Sequence, residues 1–218
     1  MKTGMRPTGE NSPVVTICRM QLPDVPTVTA ISAALPQAPH WLPEAYLTAL
    51  DPALSPQRVA LVAQAPIPQD KAAEIRGSEP RAPQGAPYPL LSALSAERVG
   101  SQSSQLRAGS AETLEIVGFA VASLLPPQAE IETIAVVPSG QRKGVGRLLL
   151  GALLEETKRA GVTEVLLEAR QSNRPALGLY RSLGFEQTAV RPRYYADPQE
   201  DAVLMALRIP SPAGRQES

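Results

Sequence analysis

A glycine-rich turn in the second half of the chain has residues that could bind an anion. Residues 141–146 read Q-R-K-G-V-G and separate a predicted strand from a predicted helix that begins near Gly144. Glycine lets a ligand approach the backbone closely, and the first amides of a helix carry the positive end of its dipole. The turn therefore predicts a phosphate-type anion site, with positive charge added by Arg142, Lys143 and Arg147.

The turn matches neither of two common phosphate-binding patterns. It has no G-K-[ST], as a Walker A loop would, and it lacks the G-x-G-x-x-G spacing of a dinucleotide-binding fold. From the residues alone, a glycine-rich turn with solvated basic side chains is an equally good interpretation.

Two side chains downstream of the turn could take part in proton transfer. Glu168 ends a predicted apolar strand, where a carboxylate is costly unless a partner or water reaches it. It is therefore either a functional base or the structural partner of Arg170 or another neighbour. Tyr180 lies in the next predicted helix, where its spacing from Ala176 and Leu183 by itself favours packing in the core.

These segments together resemble the Gcn5-related N-acetyltransferase (GNAT) superfamily. The turn matches the family's [QR]-x-x-G-x-[GA] motif, which holds the pyrophosphate of acetyl-coenzyme A. Further segments resemble the RimI type, which acetylates the N-terminal alanine of a small-subunit ribosomal protein. Those segments are 167–173 (LEARQSN), 176–185 (ALGLYRSLGF), 193–195 (RYY), 200–205 (EDAVLM) and, more loosely, 39–44 (PHWLPE).

The resemblance implies a GNAT fold, an α/β (α+β) domain with a mixed, mostly antiparallel sheet splayed in the middle and helices on both faces. It implies an acetyl-coenzyme A-dependent N-acetyltransferase without a metal, in which Glu168 is the base, through water, and Tyr180 is the acid that protonates the thiolate. The acceptor would be a protein N-terminal α-amine, as in a ribosomal protein. Acetylation of lysine or of a small-molecule amine, and a non-catalytic coenzyme A-binding module, remain alternatives. Tyr194 and Tyr195 would line the peptide groove or be structural aromatics.

The resemblance also assigns residues to the coenzyme. Backbone groups of Ile134, Ala135 and Val136 would pair with the pantetheine arm like an added strand, and the Val136 amide would polarise the acetyl carbonyl. Asn173 would bond the pantetheine, cap its helix, or do both. The pyrophosphate would be held by amides of Arg142, Lys143, Gly144, Val145, Gly146 and Arg147.

The elements that must position these residues alternate along the chain. Periodicity and capping signals predict strands at residues 14–17, 58–64, 114–125, 130–137, 164–169, 185–191 and 201–208. They predict helices at residues 24–35, 41–50, 144–160 and from 172 or 173 to 183. The strands on either side of Pro126 and Pro127 are expected to form an antiparallel pair.

We expect one domain over residues 14–208, with a disordered leader at 1–13 and a disordered tail at 209–218. Residues 65–112 hold six prolines, four glycines and seven serines and sustain no period. Structureless loops of that length are uncommon inside a domain, so a flexible insertion is predicted, with a packed subdomain as the alternative.

Composition excludes several functional classes. Lys plus Arg equal Asp plus Glu at 21 each, which argues against a globally basic nucleic-acid or membrane-surface binder. One cysteine cannot form an internal disulfide, and one histidine cannot supply a multi-histidine metal site. No apolar run approaches bilayer length, and the polar N-terminus does not resemble a secretory signal, so a cytoplasmic protein is expected. The oligomeric state stays open.

Overall fold

The computed structural model describes residues 14–38, 41–67 and 114–210. Within them, seven strands form one sheet in the order β1-β2-β3-β4-β5-β7-β6. The strands are β1 (Thr16–Arg19), β2 (Gln57–Pro66), β3 (Leu114–Leu125), β4 (Gln128–Val136), β5 (Glu164–Arg170), β6 (Glu186–Ala196) and β7 (Gln199–Arg208). The β4–β5 pair is parallel, whereas β1–β2, β3–β4, β5–β7 and β6–β7 are antiparallel. The predicted mixed, mostly antiparallel sheet is confirmed.

The helices are α1 (Val25–Ala34), α2 (Pro43–Leu50), α3 (Val145–Arg159) and α4 (Arg174–Ser182), with short 3-10 turns at Leu22–Asp24 and Pro138–Gly140. Local sequence explains their ends. Proline lies in the first turn of α1, α2 and α4, where its missing N–H costs no helical bond. Gly161 and Gly184 follow α3 and α4 with positive φ, as residues after a helix often do. No helix among the described residues is long and apolar enough to cross a bilayer.

Helices cover both faces of the sheet, as predicted. On β2 and β3, alternate side chains enter two separate cores, because successive residues of a strand point to opposite faces. Val62 and Phe119 pack with Val28 of α1 and Tyr46 of α2, on what we call the α1/α2 face. Side chains of the opposite parity pack with α3 and α4 on the α3/α4 face, among them Leu61, Ala120, Leu149, Leu153 and Leu177.

The sheet splits between β4 and β5. Their pairing runs from Gln128 with Glu164 to Ile131 with Leu167 and then stops. Beyond this point β4 stays paired with β3 up to Val136, and β5 stays paired with β7 up to Arg170. The result is a gap between the second halves of the two strands, which we call the β4–β5 opening. The splay implied by the family resemblance is therefore present.

Strand β1 begins later than predicted, and β6 ends later. β1 begins at Thr16, which pairs with Gln64, and leaves Val14 75% exposed. β6 continues past residue 191 to Ala196, because its partner β7 already begins at Gln199.

The first residues of the predicted insertion and of the predicted tail lie within the described structure. Ala65 and Pro66 still belong to β2, so strand pairing persists into the first residues of the predicted insertion. Ile209 is buried in the α3/α4 core, and its amide donates to the Thr163 carbonyl at 2.8 Å. The chain divides into residues 1–65 with 115–218, and residues 66–114. The predicted leader, most of the insertion and residues 211–218 lie outside the described part.

Candidate active site

The turn before α3 has the backbone of an anion site. Gly144 precedes the helix with φ of 84° and Arg142 has φ of 59°, so both occupy the left-handed region. No side chain caps the N-terminus of α3, which leaves its first amides available to a ligand. Arg142, Lys143 and Arg147 are exposed, and none forms an ion pair with another residue of the described part. An anion at this turn would meet helical amides and unpaired positive charge.

Glycines allow the turn to sit close to its neighbours. A Cβ on Gly146 would lie 3.2 Å from Leu179 Cδ2, so this glycine lets α3 approach α4. A Cβ on Gly118 of β3 would lie 2.7 Å from the Ala135 carbonyl oxygen. A Cβ on Gly146 would also lie 3.8 Å from Val136 Cγ2, so the start of α3 lies against the end of β4.

The backbone of β4 is available on the side of the opening. The Val137 amide donates to the Val117 carbonyl of β3 at 3.0 Å. Because successive residues direct their backbone groups to opposite sides of a strand, the Val136 amide points towards the opening. The Val136 carbonyl accepts a bond from Gln141 Nε2 at 3.0 Å, which ties the turn to the strand. Ile134 and Val136 pack on the α3/α4 face and Ala135 on the α1/α2 face.

Glu168 lies at the opening on the α1/α2 side of β5. Its neighbours Leu167 and Ala169 are buried on the other face, so the carboxylate is not embedded in the apolar core. Its Oε1 atom lies 2.9 Å from Arg191 Nη1, and its side chain is 22% exposed. The Tyr194 hydroxyl also donates to Glu168, and this bond raises the pKa of Tyr194. The alternative of a paired carboxylate is thus realised, with Arg191 of β6 as the partner rather than Arg170.

Arg170 contacts Glu200 and Tyr195. Its Nη1 lies 3.4 Å from Glu200 Oε2, and its guanidinium lies 4.2 Å from the centre of the Tyr195 ring. Tyr194 and Tyr195 pack edge to face with ring centres 5.1 Å apart. The aromatic pair therefore joins the Glu168 side of the opening to the β6–β7 hairpin.

A second carboxylate faces the same side and was not predicted from the sequence. Glu130 of β4 pairs with Leu166 of β5, two residues before Glu168 on the same face. Partial burial, then the charges of Glu132 and Glu168, raise the pKa of Glu130, and Arg191 partly opposes them. The E-I-E pattern of β4 was the available signal, since alternation places its two carboxylates on one face.

Tyr180 lies on the opposite side of the sheet. It is 5% exposed, packs in the α3/α4 core, and its ring centre is 5.9 Å from that of Phe185. Burial, and then proximity to Tyr195, raise the pKa of Tyr180, so its hydroxyl is protonated at neutral pH. The core packing expected from periodicity is therefore present, in a residue whose hydroxyl retains a proton that it can donate.

Asn173 caps α4. Its Oδ1 atom accepts a bond from the Ala176 amide at 3.2 Å. The cap uses the side-chain oxygen, so the amide NH₂ group is the part that could bond a ligand.

Comparison with known proteins agrees with this geometry. The acetyltransferase (GNAT) family matches residues 87–185. The [Ribosomal protein bS18]-alanine N-acetyltransferase of Escherichia coli K12 is 42% identical over 97 residues, 44% of this chain and 66% of that protein. The protein of the same description from Haemophilus influenzae is 40% identical over 101 residues, 45% of this chain and 68% of that protein. The chain thus spans about two thirds of the length of these relatives.

A solved structure shares the fold over nearly its whole length. The crystal structure of the ribosomal-protein-S18-alanine N-acetyltransferase from Escherichia coli matches with a TM-score of 0.60 and 25% identity. The match covers 94% of this chain and 99% of that one. With the sheet split at β4 and β5 and the glycine turn before α3, these likenesses show that the chain belongs to the acetyltransferase (GNAT) family.

Proposed function

We propose that this protein transfers the acetyl group of acetyl-coenzyme A to the N-terminal α-amine of a protein. The observation that carries the proposal is that Glu168 lies on the α1/α2 face where the β4–β5 pairing ends, whereas Tyr180 is buried on the α3/α4 face. The names of the two relatives support a ribosomal-protein alanine as the acceptor residue. A ribosomal-protein substrate would put the reaction in the cytoplasm.

The described residues fit acetyl-coenzyme A, which supplies the activated acetyl group as a thioester. The uncapped N-terminus of α3 suits the pyrophosphate, with Arg142, Lys143 and Arg147 around it. The unpaired edge of β4 offers backbone groups to the amides of the pantetheine arm. In this arrangement Ile134, Ala135 and Val136 would lie along the arm, and the amide of Asn173, at the start of α4, would bond the pantetheine.

The proton acceptor and the proton donor of the reaction would then lie on the two different faces of the sheet. Glu168 would accept a proton from the attacking amine through water; a protein α-amine has a pKa of about 7.7–8.0, so a modest base suffices. The Val136 amide would stabilise negative charge on the acetyl oxygen. Tyr180 would donate its proton to the departing sulfur. The amine attacks directly in this scheme, and Cys18 takes no part as an acyl carrier.

The charge of the α1/α2 face supports an amine acceptor. Glu130, Glu132 and Glu168 lie on or beside this face at the opening. Arg58 donates two hydrogen bonds to Glu132, at 2.8 and 3.0 Å, and Arg191 pairs with Glu168. Glu130 is in no ion pair within the described residues, so one carboxylate remains to attract an ammonium group.

A panel of peptides tests the proposal. One peptide begins with alanine and contains no lysine, a second has a blocked N-terminus and an internal lysine, and a third carries both amines. Mass spectrometry after incubation with acetyl-coenzyme A should find one acetyl group on the α-amine of the first and third peptides. Acetylation of lysine alone would contradict the proposal in favour of the lysine alternative. Coenzyme A binding without any transfer would favour a non-catalytic module.

A further inference from the structure

Strand β6 leaves its regular pairing beside Glu168. Arg191 pairs with Ala202 of β7, and the next regular pair is Tyr195 with Glu200. Between these pairs β6 advances four residues while β7 advances two, so two extra residues bulge out of β6. Bulges bend a strand and redirect its side chains, and they are frequent beside active sites.

Both partners of Glu168 flank or belong to this bulge. Arg191 is the last paired residue before it, and Tyr194 is the residue before pairing resumes. Arg191 Nη1 lies 2.9 Å from Glu168 Oε1, and the Tyr194 hydroxyl donates to the same carboxylate. The guanidinium of Arg191 also lies 4.8 Å from the centre of the Tyr194 ring. The two side chains therefore form one packed unit on the carboxylate.

The bulge is held by a side chain of the neighbouring strand. Arg193, at its centre, has φ of 53°, a left-handed conformation that a residue with a side chain adopts only when its surroundings impose it. Its amide donates to Asp201 Oδ1 at 2.8 Å. Because the bulged backbone is outside the β6–β7 ladder, this bond replaces the ladder contact that Arg193 has lost.

We infer that Asp201 is a positioning residue for Glu168, acting by pinning the bulge that presents Arg191 and Tyr194 to it. The inference rests on the proposed function, since it assumes that the orientation of Glu168 limits turnover. The Asp201 side chain bonds the Arg193 amide, and its backbone carbonyl accepts from the Gln171 amide just after β5, so its link to Glu168 is indirect. Its effect passes through the backbone at Arg193, so the acceptor atom of its side chain matters and its charge does not.

The variants of the test separate the acceptor atom of the Asp201 side chain from its charge. D201A removes the acceptor, D201N keeps a side-chain oxygen without the charge, and D197A removes an exposed acidic side chain from the same hairpin as a matched control. A double variant, D201A with R193G, places at the strained position the residue that adopts positive φ without penalty. Each full-length variant is assayed on the alanine-starting peptide for kcat and KM, with acetyl-coenzyme A affinity and Tm measured in parallel.

D201A is expected to lower kcat by about 10- to 100-fold, as small displacements of a catalytic group do, with acetyl-coenzyme A affinity unchanged. D201N should restore most of kcat, the added R193G should recover part of it in D201A, and D197A should match the wild type. A D201A protein with normal kcat would overturn the inference. So would a D201N protein as slow as D201A, since that would show a charge effect.

Loss of folding and failure of the proposed function give different results. A lower Tm with proportional loss of acetyl-coenzyme A binding in D201A, not relieved by R193G, would assign Asp201 a purely structural role and overturn the inference. If the wild type acetylates no α-amine, the proposed function fails, and the inference fails with it before any variant is compared. If the wild type acetylates the peptide and only the variant pattern differs, the inference fails alone.

Discussion

Glu168 and Tyr180 lie on opposite faces of the sheet, and Glu168 lies beside the β4–β5 opening. Glu168 lies on the α1/α2 face with 22% of its side chain exposed, and Tyr180 is buried in the α3/α4 core. In the proposed reaction the acceptor amine would arrive from the first side and the thioester from the second. The two substrates would then meet only at the opening, which explains why a direct transfer suits this fold.

Replacing Glu168 tests its proposed role as the base. E168Q keeps the shape of the side chain and its ability to accept from Arg191 but removes its basicity. We expect kcat to fall by about 10²–10⁴-fold, with acetyl-coenzyme A affinity nearly unchanged. Steady-state kinetics with the alanine-starting peptide and calorimetry with acetyl-coenzyme A measure the two quantities.

Glu164 provides the control for this substitution. It lies on the same face of β5, at the start of the strand, and accepts a bond from Gln128 Nε2 at 2.7 Å away from the opening. E164Q should therefore leave kcat unchanged. Equal activity of E168Q and E164Q would remove Glu168 from the mechanism.

Removing the hydroxyl group of Tyr180 tests its proposed role as the acid. Y180F keeps the ring contact with Phe185, so the fold should stay intact. Loss of the proton donor should lower kcat by about 10²-fold or more, while KM for the peptide and the affinity for coenzyme A change little. Full activity in Y180F would leave Tyr180 as a core residue only, as its helical spacing first suggested.

The sequence predicted those parts of the site that depend on local patterns. The turn before α3 follows from Gly144 and the basic residues around it, and the face of Glu168 follows from strand alternation. The partners of Glu168 could not be predicted, because Arg191 and Tyr194 reach it across β7 through a bulge of β6. Register shifts of that kind depend on tertiary packing and leave no periodic signal.

Substitution of Gly144 tests whether the turn before α3 binds an anion. Its φ of 84° is unfavourable for alanine, although an added Cβ would meet no atom within 4 Å. In G144A the free turn can relax out of this conformation, and binding would have to restore it at a cost of about 1–2 kcal/mol, so the affinity for acetyl-coenzyme A should fall by about 5- to 30-fold. Titration calorimetry with acetyl-coenzyme A measures this change.

Gly151, in the middle of α3, is the matched control. A Cβ there also meets no atom within 4 Å, but the residue is helical. G151A should raise the free energy of unfolding by about 0.5–1 kcal/mol and leave acetyl-coenzyme A affinity unchanged. Normal affinity in G144A would argue against an anion site at this turn.

Substitution of Glu130 and of Glu155 by glutamine should change stability at neutral pH in opposite directions. Partial burial and neighbouring carboxylates raise the pKa of Glu130, so its ionised form disfavours the folded state. E130Q should therefore have a higher Tm than the wild type at neutral pH, and the gain should fade as pH falls towards the pKa of an unperturbed glutamate, about 4.3, and be absent below it. Lys158 lowers the pKa of Glu155 through a hydrogen bond and its charge, so E155Q should lose stability at neutral pH and recover it in acid. Thermal unfolding from pH 3 to 8 measures both, and a gain for E130Q that grew in acid would contradict the crowding of carboxylates at the opening.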